Sequence, residues 1–186
     1  MEKITYRLVR SDRRTLAVEI KDGELLVRAP RRTSKGAIDR FVLEHRDWIE
    51  AHLTRARERQ QVAATTDKLT EAALAELTLK AREVIAKRVA LYAPQVGVTY
   101  GRITIRHQKT RWGSCTAEGN LNFNCLLLLA PLEVLDSVVV HELCHRKEMN
   151  HSQRFYAEVL RVYPDYRKWN RWLKDHGHEL MARLPG

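Results

Sequence analysis

Val138–Phe155, VVVHELCHRKEMNHSQRF, decides how the chain is read. It holds the pentad His141-Glu142-Leu143-Cys144-His145, followed six residues later by His151. On a helix of 3.6 residues per turn, positions four apart lie about 40° from each other, so both imidazoles of the pentad can reach one metal ion. Glu142 points elsewhere, near enough to touch a metal-bound water without being a ligand. A third ligand comes from beyond the helix. His151 is well placed for it if the chain turns near Asn150, because Asn tolerates the left-handed conformation of helix ends. Three protein ligands leave a fourth position open, the arrangement of hydrolytic zinc sites. Val138-Val139-Val140 reads as a buried run, and two histidines on a buried helix need a reason to be there. The plainer account is that these histidines hydrogen-bond to neighbours, and Glu158 competes with His151 as third ligand. Cys144, about 60° from His141 on the side away from His145, reads as a small packed hydrophobe rather than a thiolate ligand.

The chain around this stretch has 186 residues, enough for one domain or a small domain with an appendage. A hydrophobic share of 44% and a mean hydropathy of −0.44 are ordinary for a soluble protein. The longest apolar run, Leu126 to Pro131, falls far short of the roughly 20 residues of a membrane span. The first residues lack the apolar segment of a secretory signal, and the cytoplasm is the expected location. Cys115, Cys125 and Cys144 make an odd count without a C-x-x-C pair, which fits reduced thiols. The net charge of +10 has two readings, affinity for a polyanion or a solvated basic surface. Residues 1–95 carry 20 Lys and Arg against 14 Asp and Glu, and the rest carry 13 against 9, so the charge is spread, which favours the second reading.

Over residues 4–29, Leu16, Val18 and Ile20, then Leu25, Val27 and Ala29, alternate about the turn signal Asp22-Gly23, which predicts a β-hairpin or short meander ended by Pro30. Arg13-Arg14 and Arg31-Arg32 flank it as the candidates for a polyanion contact. From Ser34 the period becomes helical through Ile38, Phe41, Val42, His45, Trp48, Ile49 and His52, predicting one helix to about Arg59 and a linker over Val62–Asp67. This divides the chain into a hairpin-and-helix region, 1–62, and a larger region, 68–186. Leu69, Ala73, Leu77, Ala81, Val84, Ile85, Val89 and Tyr92 predict a long helix closed by Pro94. Strands are expected at Ile103–Ile105 and across Leu121, Phe123, Cys125 and Leu127, with the loop Lys109–Cys115 between them and Trp112 anchored into a core. Pro131 suits the first position of the metal helix, and Ser152 can cap a further helix through Phe155, Val159 and Val162. Tyr166 to His176 reads as a final helix with Trp169 and Trp172 packing. His176 and His178 have no ligand spacing to each other.

Arg111-Trp112-Gly113-Ser114-Cys115, Gly119, Leu121–Asn124, Ala130-Pro131, the pentad with Val139-Val140, Asn150-His151-Ser152, Phe155 and Pro164-Asp165-Tyr166 stand in an order that resembles the YgjP-like metallopeptidase family. That family is similar to the SprT-like and WLM proteases of the zincin group. The resemblance is close over residues 102–180 and looser over the N-terminal hairpin and helix. It implies zinc ligands at His141, His145 and His151 and a general acid/base at Glu142. It also implies an α+β, zincin-like core with a small antiparallel sheet against the metal helix. Cys125-Leu126 stands where the family tends to have Trp-Arg, Tyr156 where it has Trp, and Arg146 where it has an aliphatic residue. The first pair is expected on the strand nearest the cleft and so bears on substrate preference.

The expectation is a metallopeptidase with one zinc per chain and a protein or peptide substrate. Tyr156, Tyr166 and His178 are candidate oxyanion donors, and the edge of the strand Asn120–Leu127 is the candidate for pairing with an extended peptide. The rival is a basic nucleic-acid-binding module with structural zinc, and a blend of the two is a protease acting on DNA-bound proteins. Structural zinc sites usually close with four ligands, often thiolates, whereas only histidines converge here.

Overall fold

The computed structural model describes residues 4–21 and 23–185, so Asp22 of the expected turn lies outside the described residues. The chain divides into two compact units, residues 1–65 and 66–186. Both are α+β, and each holds a three-stranded sheet.

In the first unit, β2 (Ala17–Lys21) and β3 (Glu24–Pro30) form the expected hairpin, with Val18 opposite Val27 and Ile20 opposite Leu25. Gly23 has φ 78, and a Cβ there would meet the side-chain amide of Gln60 at 2.8 Å, so the turn needs glycine for both conformation and room. β1 (Arg7–Ser11) adds to β3 in parallel, giving the order β1-β3-β2. Two helices follow where one was expected, α1 (Lys35–Glu44) and α2 (Arg46–Thr65). The break falls at His45, which leaves helical geometry (φ −104, ψ 15) and whose backbone N–H donates to the Leu43 carbonyl. Turning there lets Ile38 and Val42 of α1 and Ile49 of α2 enter one core with Leu25, Val27 and Ala29, all at most 4% exposed. The expected linker is helical up to Thr65, because α2 runs through it.

In the second unit, α3 (Glu71–Val96) starts at Thr70, whose side chain accepts from the Ala73 N–H, and ends at Gly97 in the left-handed conformation. Pro94 does not close this helix. It sits in the last turn, and the residue four back, which its ring must pass, is the small Ala90. The sheet has the order β4-β6-β5, with β4 (Ile103–Arg106) parallel and β5 (Gly113–Cys115) antiparallel to β6 (Leu121–Asn124), so it is mixed rather than antiparallel throughout. β6 stops four residues into the expected strand. The Asn124 side chain accepts from the Leu126 N–H at 3.1 Å and starts a 3-10 turn over Cys125–Leu129, while its amide donates to the Gln108 and Arg111 carbonyls. Cys125 and Leu126 are therefore in the core at 0% exposure and do not face a cleft.

The helix that carries the pentad, α4 (Leu132–Cys144), is buried on almost every side. One of its two buried carboxylates, Asp136, is held by Nε and Nη2 of Arg88 at 2.6 Å and by the Tyr92 hydroxyl at 3.1 Å, which ties α4 to α3. Ion-pair geometry of this kind satisfies a buried charge that would otherwise be costly. α5 (Gln153–Val162), capped by Ser152, and α6 (Tyr166–Ala182) complete the unit and bury Phe155, Val159, Tyr166 and Leu173 against the same core.

Candidate metal centre

His141 lies on the last turn of α4, and His145 is its C-cap, where the chain leaves the helix. The following turn brings His151 back over them. Its Nε2 lies 3.0 Å from that of His141, and the His145 Nε2 lies 3.2 Å from the same atom. The ligand atoms of all three lie within 4.8 Å of one another. Tetrahedral zinc with Zn–N distances near 2.05 Å holds its nitrogens about 3.3 Å apart, so this spacing fits a shared cation.

The tautomers agree. The His145 Nδ1 sits 3.1 Å from the Glu148 carbonyl, which only accepts, so Nδ1 carries the proton and Nε2 presents a lone pair. His141 has its Nδ1 2.8 Å from the Tyr166 hydroxyl, and with that hydroxyl accepting from Nδ1–H, Nε2 is left for a metal. Burial, followed by the neighbouring imidazoles, pushes the His141 pKa down to about 3, and burial also lowers that of His145. Both rings stay neutral at pH 7, as metal ligation requires. Phe155 packs against all three rings at centroid distances of 4.6–4.9 Å and fixes the cluster from below.

Glu142, 5% exposed, projects from α4 toward β5, and burial pushes its carboxyl up to about 8. A Cβ on Gly113 would sit 2.5 Å from its Oε1 and 2.7 Å from its Cγ, so β5 can cross the carboxylate only because residue 113 is glycine. Trp112 beside it packs on Gly177 of α6, with its half-buried ring anchored against the core as expected. β5 is an edge strand. Trp112 accepts from the Asn124 N–H and Thr116 donates to the Asn120 carbonyl, so by alternation the backbone groups of Gly113 and Cys115 face the open side.

Glu158 is turned away from the histidines. Lys147 and Arg161 hold it at 2.6 and 2.7 Å, and these contacts, Arg161 first, keep its carboxyl low at about 2. Cys144 is buried and its thiol is pushed up to about 12 by burial, in keeping with a packed hydrophobe. Among the described residues no fourth His, Cys, Asp or Glu joins the three histidines. Sequence reasoning missed the Tyr166–His141 contact and the glycine cradle for Glu142. Gly113 carried a signal in standing next to a loop tryptophan, but nothing in the spacing pairs Tyr166 with His141.

Tyr166→Phe keeps the shape of this buried side chain and removes only the hydroxyl. It should weaken zinc binding about 10- to 100-fold in a chelator competition, with the folded circular dichroism spectrum unchanged.

Three convergent imidazoles on and just after α4 form a group that could hold a metal ion. The comparisons supply the class. The sequence profile of the YgjP-like metallopeptidase domain matches residues 14–75 and 59–176, and the chain belongs to that family. Among solved structures, the crystal structure of the metallopeptidase zymogen abylysin of Pyrococcus abyssi is similar. It shares 20% identity with a TM-score of 0.45, covering 49% of this chain and 93% of that chain. No curated protein matches the chain.

Proposed function

We propose that this metallopeptidase is a zinc-dependent endopeptidase in which His141, His145 and His151 hold one zinc through Nε2 and Glu142 is the general acid/base. The convergence of the three Nε2 atoms carries the reading, with Glu142 next to His141 on the same helix. Zinc, when bound, supplies Lewis acidity that makes a water a nucleophile near pH 7 and polarises a carbonyl. Glu142 would be the group that takes a proton from the attacking water and hands it to the leaving amine. Its burial keeps the carboxyl protonated more readily than an exposed one, which suits the delivery step. Tyr166 is committed to His141, whereas the Tyr156 hydroxyl, on a side chain 39% exposed and stacked 6.2 Å from His151, has no partner among the described residues. Tyr156 is therefore the proposed donor to the oxyanion, ahead of His178, for which no contact with the cluster occurs among the described residues.

The expected peptide-binding strand is corrected. β6 lies between β4 and β5 and has no free edge, so an extended substrate cannot add to it. The open edge of β5, above Glu142, is the proposed place for strand addition, through the backbone of Gly113 and Cys115. The three unpaired thiols support a reducing compartment, and the cytoplasm is the proposed location. The rival of a structural zinc would need a fourth protein ligand. Elemental analysis of the purified chain should show about one zinc per chain. Gly113→Ala tests the arrangement: the added methyl displaces Glu142, and cleavage of an unfolded protein should fall about 10²-fold or more with zinc content retained.

A further inference from the structure

A second feature lies in the first unit. A groove of about 530 Å³ runs between β2 and α2, with Val18 and Ile20 on one wall and Trp48, His52, Arg55 and Arg59 on the other. The four α2 residues are spaced by four, three and four, so they share one face of the helix. Trp48 is 43% exposed, large for an indole with no catalytic duty. Its ring stacks on His52 at 3.9 Å and 23°, and the His52 Nδ1 donates to the Trp48 carbonyl at 2.7 Å, which fixes the two rings as one platform. Arg55 and Arg59 follow one helical turn apart, with Cβ atoms about 5–6 Å from each other. Both are exposed, and neither has a carboxylate partner among the described residues. Glu19, the acidic residue lining the groove, pairs with Arg28 at 2.9 Å, and Glu50 pairs with Arg46 at 2.7 Å; Glu58 of α2 does not line the groove. Residues 1–65 carry 15 Lys and Arg against 10 Asp and Glu.

We propose that this groove binds single-stranded nucleic acid, with a base stacked on the Trp48–His52 platform and adjacent phosphates on Arg55 and Arg59. An open strand fits better than a duplex. A duplex hides its base faces in its own stack, while a single strand can lay them on an aromatic ring and its phosphates on a basic stripe. Sequence preference is weak, because stacking accepts every base. The site is independent of the metal centre and does not rest on the endopeptidase reading.

The test is fluorescence anisotropy of the full chain with a fluorescein-labelled 20-nucleotide oligothymidylate at several salt concentrations. Binding should weaken about tenfold in Trp48→Ala. The double variant Arg55→Ala/Arg59→Ala should bind more weakly and lower the salt slope by about 1.4, the value for two phosphates on a single strand. Zinc content and cleavage of an unfolded protein should not change in either variant. If Trp48→Ala fails to fold, the exposed arginine pair decides alone. The proposal is overturned by absence of binding at tens of micromolar, or by variants that bind as the parent does. It is equally overturned if a duplex of the same length, or a polyglutamate peptide, displaces the oligonucleotide at equal concentration, since the groove would then be a general polyanion or acidic-peptide surface.

Discussion

A Glu142→Gln chain is expected to take up one zinc as the parent does and to cleave an unfolded protein roughly 10²- to 10⁴-fold more slowly, the range that a general acid/base contributes. Gln has nearly the volume of Glu, and the cradle under Gly113 accepts it, so the substitution removes proton transfer and little else. The three imidazoles do not depend on this carboxylate, and zinc retention is the control. The same variant has a second signature in the metal-free protein. Burial raises the folded-state Glu142 carboxyl from 4.5 to about 8, so the stability it contributes is present at pH below 4.5 and is lost as pH rises toward 8. Gln resembles the protonated acid and does not suffer this loss. Metal-free Glu142→Gln should therefore be more stable than metal-free parent above about pH 8, by on the order of a few kcal/mol in denaturant unfolding. A carboxylate with only a structural role would leave the cleavage rate unchanged.

His151→Ala should lose most of its zinc, with a drop in affinity beyond the 10- to 100-fold that removal of a supporting residue costs. Its Nε2 is 3.0 Å from that of His141 and lies on the exposed side of the cluster, so its loss opens the site to water without leaving a core cavity. Glu158→Ala is the paired control. Lys147 and Arg161 occupy that carboxylate, so zinc should be retained in full. Inductively coupled plasma analysis after gel filtration reads both. Zinc lost from Glu158→Ala and kept in His151→Ala would reverse the ligand assignment.

The pentad and His151 were legible in the sequence because their spacing is a local property of a helix and the turn after it. Long amphipathic stretches such as α3 were legible for the same reason. The break at His45 was not, since neither Gly nor Pro marks it and only the shared core of Ile38, Val42 and Ile49 explains it. The end of β6 was missed because period-2 alternation continues past Asn124, while the side chain of that same residue bonds the backbone two positions on and turns it. That local competition cannot be read from hydrophobic pattern alone. The strand order β4-β6-β5 depends on pairing between distant segments, and it moved the proposed peptide edge from the strand that alternation favoured to the three-residue β5. The contact of Tyr166 with His141 spans 25 residues and has no signature in spacing.

The measurement that bears most directly on the central claim is cleavage of a reduced, unfolded protein by the zinc-loaded chain, followed by gel electrophoresis and mass spectrometry of the products. The predicted result is internal peptide-bond cleavage that stops on chelation, returns on adding zinc and is absent from Glu142→Gln. Full zinc occupancy with no cleavage of any unfolded protein, or cleavage that persists undiminished in Glu142→Gln, would contradict it.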